Sequence, residues 1–82
     1  MNRLEKLQSE SLSYRFGGIL ECIDNKNLSD EEVSILQSLK QDDRWIAGRK
    51  ISSYARAALC LLGIESTTDD IDAIELVDCF RD

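Results

Sequence analysis

Asp69, Asp70 and Asp72 are the side chains whose type and spacing come nearest to catalytic chemistry. Two carboxylates held close together can share acid–base work when burial raises the pKa of one and leaves the other ionised. These three fall in a loop and a first helical turn, where capping and the positive end of a helix dipole account for them. The cluster also lacks the glycine and closing glutamate of a calcium loop. The chain has no histidine, which removes the usual nucleophile–base triads and any His-based metal site. Cys22, Cys60 and Cys79 are widely spaced, without a C-x-x-C pair. Each lies in an apolar helical stretch, so they read as buried free thiols acting as small hydrophobes. Gly17-Gly18 sits inside a helical pattern with no strand ahead of it, unlike a phosphate loop. The expectation is a protein without catalytic residues, cofactor or metal.

Binding chemistry has more to draw on. Arg44, Arg49, Lys50 and Arg56 cluster between positions 44 and 56, and Arg49, Ser53 and Arg56 would share one face of a helix running through them. They read either as a basic contact patch for an acidic protein or phosphate, or as a solvated face pairing with acids such as Asp42 and Asp43. Overall charge favours the second reading. Trp45 is the single tryptophan. Beside Arg44, and off the main apolar stripe, it has the composition of an interface hot spot; yet a small domain seldom leaves its one Trp outside, which favours the core. Asp72, Glu75 and Asp82 fall on the outer side of an acidic last helix, either a solvated cap or a surface that blocks a basic partner.

Charge narrows the partners. Of the net −6, none comes from residues 1–64, which hold nine acids and nine bases; residues 65–82 hold seven acids against Arg81. A nucleic-acid binder needs a net basic surface, and an anionic membrane would repel the acidic end. A basic protein partner would instead be steered towards it. No apolar run is long enough to span a bilayer. The start, Met1-Asn-Arg-Leu-Glu-Lys-Leu7, is charged where a signal peptide is apolar, so a cytoplasmic location is expected.

The elements that must position these residues are helical. The chain has 82 residues, no proline and four glycines, and is rich in helix formers; it is read as one domain, 1–82, burying only about 60% of its extended surface. Leu12, Phe16, Ile19 and Ile23 fall on one helical stripe. A turn near Ser9–Ser11 splits a short helix from it, and Gly17-Gly18 marks a close crossing or a kink. Ser29-Asp-Glu-Glu32 is a capping box opening a helix whose buried face is Val33, Leu36 and Leu39, supported by Ile35. After a break at Gln41–Asp43, a helix from about Gly48 to Leu62 stops at Gly63. A last helix, about Asp70 to Phe80, is capped by Thr67, Thr68 or Asp69 and buries Ala73, Ile74, Val77 and Phe80.

Two stretches echo each other about forty residues apart. Leu12–Ile23 matches Ile51–Leu62, and Val33, Ile35, Leu36, Leu39 and Lys40 match Ile74, Leu76, Val77, Phe80 and Arg81 at one fixed offset. A period near forty is that of stacked helix pairs. Leu36-x-x-Leu39, then Asp42-Asp43, then Ile51-x-x-x-Ala55-x-x-Ala58-Leu59 resembles a HEAT-like repeat. Leu4-x-x-Leu7, Ser9-Glu10, Leu12-x-x-x-Phe16 and Ile19-Leu20 form a looser copy, with Phe16 where a small residue belongs. The second copy has a longer turn, and the proline common in the first helix is missing. The resemblance implies a protein–protein interaction scaffold with no catalytic residues to carry over. Two repeats are fewer than the three or so a stack usually needs, which implies self-association or good end caps.

The fold expected is therefore all-α, with four to five helices in antiparallel hairpins, as a HEAT-like stack or a small helical bundle. The function expected is a non-enzymatic protein–protein interaction module, self-associating as a homo-oligomer. The alternative is a small acidic inhibitor or immunity protein blocking a basic site on a nuclease or toxin. The candidate contact residues of the chain are Arg44, Trp45, Arg49, Arg56, Asp72, Glu75 and Asp82.

Overall fold

A computed structural model describes residues 1–81. Five helices, α1 (Arg3–Gln8), α2 (Leu12–Asp24), α3 (Asp30–Leu39), α4 (Ile51–Leu61) and α5 (Ile71–Arg81), surround one core. A two-stranded antiparallel hairpin, β1 (Trp45–Ile46) and β2 (Arg49–Lys50), leads into α4. The fold is the small all-α one expected, with the hairpin as its one addition among the described residues.

Polar residues set the helix starts. Asn2 and Glu5 form a capping box at α1, and Ser29 and Glu32 form the one expected at α3. Ser11 caps α2, so Ser9–Ser11 is indeed the turn between the first two helices. Asp70 caps α5: its carboxylate accepts from the Ala73 N–H at 3.2 Å, and its carbonyl from the Ile74 N–H at 3.0 Å. The cap is thus one residue beyond the Thr67–Asp69 stretch expected.

Helix α4 begins at Ile51, not near Gly48. Lys50 offers it no side-chain cap. Instead the Ile51 N–H donates to the Arg44 carbonyl and the Ser52 N–H to the Asp42 carbonyl, both at 2.8 Å. The 42–44 turn thereby satisfies donors that a helix start leaves open. Upstream the chain reverses at Ala47 (φ 52°) and Gly48 (φ 84°), the two positive φ values of a type I′ hairpin turn. At the other end Gly63 (φ 77°) stops α4 as expected, and the Ile64 N–H turns back to the Leu59 carbonyl at 3.0 Å.

The core gathers on α4. Its Ile51, Ala55, Ala57, Ala58 and Leu59 are fully buried, and Ser53 and Tyr54 nearly so. Small residues let α2, α3 and α5 approach it from different sides. Phe16 of α2 meets Tyr54 edge-on, ring centroids 4.7 Å apart. Helix α1 pairs with α2 and α3 with α4; the two hairpins lie against each other, α1 on α3 and α2 on α4. At the α1–α2 crossing a Cβ on Gly18 would come within 3.1 Å of Leu7 and Lys6, whereas one on Gly17 would meet nothing. The glycine pair therefore marks a close crossing, and Gly18 alone makes it.

Helix α5 covers α4 with Ala73, Leu76 and Val77. Ile74 and Phe80, expected in the core, are 45% and 39% exposed. Helix α5 packs chiefly against α4, along one side, so a broad apolar stripe cannot all be covered.

Candidate interaction surface

The hairpin holds Trp45 away from the core. Trp45 is 60% exposed, which corrects the expectation that the only tryptophan lies inside. Alternation decides it. Ile46 turns inward to pack on the core, and its neighbour Trp45 must point the other way. Lys50 lies directly across the ladder from Trp45, with its Nζ 6.0 Å from the ring centroid. Ile46 stands opposite Arg49 on the inner face.

The platform beneath Trp45 is braced at several points. The Tyr54 hydroxyl donates to the Ala47 carbonyl at 2.9 Å, tying the turn to α4. Asp42 accepts from the Arg44 backbone N–H and from its guanidinium, and from Arg15 Nη1 of α2 at 2.7 Å. The Arg44 guanidinium, reinforced by Arg15, holds the Asp42 carboxyl well below the usual carboxylate range despite its burial. The pairing of Arg44 with Asp42 is the one the sequence suggests, whereas the reach of Arg15 from α2 to the same carboxylate is not legible there.

The remaining candidates split. Arg49 lies in β2, not on a helical face with Ser53 and Arg56. Its Nη2 is 3.1 Å from Glu75 Oε2 and its Nε 3.9 Å from Asp72 Oδ1. Arg56 Nε sits 3.8 Å from Asp70 Oδ2. The basic cluster and the acidic helix, set apart in the sequence, thus face each other and partly neutralise. Asp82 lies outside the described residues. Lys26, Lys50 and Arg81 are the basic side chains outside any ion pair among the described residues.

The groups that could have supplied chemistry are otherwise engaged or apart. Asp70 accepts from the Ser53 hydroxyl at 2.9 Å as well as capping α5. Among the described residues no three His, Cys, Asp or Glu side chains come together as metal ligands. Cys22 is buried, and burial pushes its thiol up to about 11. Cys60 is half-buried and Cys79 exposed, so the expectation of three buried thiols holds for Cys22 alone. Glu32 is nearly buried, paired with Arg3, whose guanidinium also donates to the Asn25 and Asn27 carbonyls at 2.9 and 2.8 Å. That ion pair, with the Ser29 cap, holds the Glu32 carboxyl down at about 2. It clamps the α2–α3 loop between α1 and α3.

No family model, curated protein or solved structure matches this chain. No described helix is long and apolar enough to cross a membrane.

Proposed function

We propose that this chain is a non-enzymatic protein–protein interaction module, a HEAT-like pair of stacked helical hairpins that docks through the Trp45 hairpin. The observation that carries it is the 60% exposure of the single tryptophan on a turn fastened by Tyr54 and Asp42. A rigid, half-desolvated aromatic beside arginine is the composition of binding hot spots. Leaving it in water gains nothing for the isolated fold, and a partner that covers it would gain its burial. The stacking of α1 on α3 and α2 on α4 supports the repeat reading.

The acidic-inhibitor alternative has less to work with. Two of its three contact residues, Asp72 and Glu75, already face Arg49. The two readings part on mutation. Docking through the hairpin predicts that Trp45→Ala weakens partner binding by about thirtyfold or more. If Trp45→Ala binds as the parent does, while Asp72→Lys with Glu75→Lys abolishes binding, the inhibitor reading replaces this one.

A further inference from the structure

Beside the hairpin lies a second exposed apolar surface. On α5, Ile71, Ile74 and Asp78 follow one another at i, i+3 and i+7, so they share a stripe. Ile71 is 72% exposed and Ile74 45%. Glu75 borders the stripe, and Asp78 is exposed and outside any ion pair among the described residues. A shallow groove runs alongside Ile74, walled by Thr67, Thr68, Val77, Asp78 and Arg81. The stripe is thus apolar, with Glu75 and Asp78 beside its isoleucines and Arg81 at its far end. The hairpin is its complement: Trp45 is apolar, Lys50 is cationic with no carboxylate partner among the described residues, and no acid occurs between Arg44 and Lys50.

We propose that the partner of the Trp45 hairpin is a second copy of this chain, each hairpin seated on the Ile71–Ile74–Asp78 stripe of the other. This rests on the hairpin being a docking surface, as proposed above. Charge favours hairpin on α5 over hairpin on hairpin. Hairpin against hairpin sets Lys50, which no carboxylate neutralises among the described residues, against its own copy. Hairpin on α5 brings Lys50 to Asp78 and Trp45 to Ile71 and Ile74. Like charges brought together cost binding energy, and opposite ones fix register.

The same geometry makes the assembly close at two. Arg49 reaches from β2 to Glu75, so the hairpin and α5 are neighbours on one molecule. A twofold axis between them forms both contacts at once, the isologous arrangement that leaves no free end to extend. Each contact is made twice, which raises the buried area of a molecule exposing 4803 Å² in all towards the roughly 800 Å² per partner of a stable interface.

Sedimentation equilibrium of the full chain over a wide concentration range tests this. The expected mass rises from 9.3 kDa to twice that value and stops. Trp45→Ala should raise the dimer dissociation constant about thirtyfold or more. Lys50→Glu should weaken it as well, and adding Asp78→Lys to Lys50→Glu should restore it. Trp45 and Asp78 are exposed and Lys50 part-buried, and unchanged circular dichroism verifies the fold of each variant. A strictly monomeric parent, masses beyond two, or a charge-swapped pair weaker than either single variant would overturn the inference. A monomer whose position 45 still contacts another protein would overturn the second copy and leave the docking surface standing. A monomer with no contact at position 45 would overturn both.

Discussion

Arg49 Nη2 lies 3.1 Å from Glu75 Oε2, joining the second strand of the hairpin to the last helix. The contact sets the basic hairpin and the acidic helix side by side and spends part of each charge on the other. What remains outward is one aromatic with a lysine, and two isoleucines with Asp78 and Arg81. A second tether joins α5 to α4 from within, where the Ser53 hydroxyl donates to Asp70 at 2.9 Å.

The two tethers should differ in strength. Arg49 is part-buried but Glu75 is exposed, so water and salt screen the pair, and Arg49→Ala should leave the thermal midpoint within about 2 °C of the parent. Ser53 is 1% exposed. Ser53→Ala removes a donor from the Asp70 cap and should cost about 1 kcal/mol, a drop of roughly 4–8 °C in a domain of this size. Thermal unfolding of the two variants side by side checks the order.

Stability should fall in acid through Glu32 and Asp42. Both carboxyls titrate lower in the folded chain than unfolded, Glu32 at about 2. The unfolded chain, with ordinary values near 4, therefore binds more protons in this range, and stability rises with pH. Their contribution is complete above about pH 5 and is lost as pH falls towards 2. Glu32→Gln keeps the capping box but leaves Arg3 without its counter-charge. It should cost about 2 kcal/mol at neutral pH and flatten the acid limb. Urea midpoints from pH 7 down to pH 2.5 give the slope for each protein.

Adjacent glycines should respond oppositely to alanine. Gly18→Ala drives a Cβ to 3.1 Å from the Leu7 backbone nitrogen, which cannot yield as a side-chain tip would, and should cost about 1–3 kcal/mol. Gly17→Ala meets open space and should gain up to about 1 kcal/mol in helix propensity. Urea denaturation of each single variant decides it.

Much of this fold is legible in the sequence because it is local. Ser29 and Glu32 sit three apart, Gly63 follows the last apolar position of α4, and the stripe of Leu12, Phe16, Ile19 and Ile23 reads directly as a helix face. The small residues of α4 likewise show that neighbours come close. The hairpin is not legible: Ala47-Gly48 lacks the Asn or Asp that usually announces a type I′ turn, and two-residue strands leave no alternation to read. That turn is what puts Trp45 outside and moves Arg49 off the helix. Helix α5 misleads for a different reason. Ile74 and Phe80 have the spacing of a buried face, but whether a face is buried depends on what stands opposite, and α5 packs chiefly on α4 alone. The pairs Arg49–Glu75, Arg3–Glu32 and Arg15–Asp42 join residues about 25 to 30 positions apart, a separation that no local pattern encodes.

The hairpin turn carries a cost that substitution can remove. Ala47 holds φ at 52°, a region where a Cβ is penalised by roughly 1–2 kcal/mol. Asparagine tolerates it better, and Asn-Gly is the favoured pair for this turn. Ala47→Asn should therefore stabilise the protein by about 0.5–1 kcal/mol and leave binding unchanged, since Trp45 keeps its platform. Chemical denaturation measures the gain.

The most direct test of docking at the hairpin is photo-crosslinking in the native cell, with a photoreactive aromatic residue in place of Trp45 and, as a control, at exposed Glu31 on α3. A discrete protein adduct formed from position 45 and much weaker from position 31 is the predicted result, and its mass tells a second copy from another protein. Equal yields from the two positions, or no adduct from position 45, would contradict the assignment of the Trp45 hairpin as the contact surface.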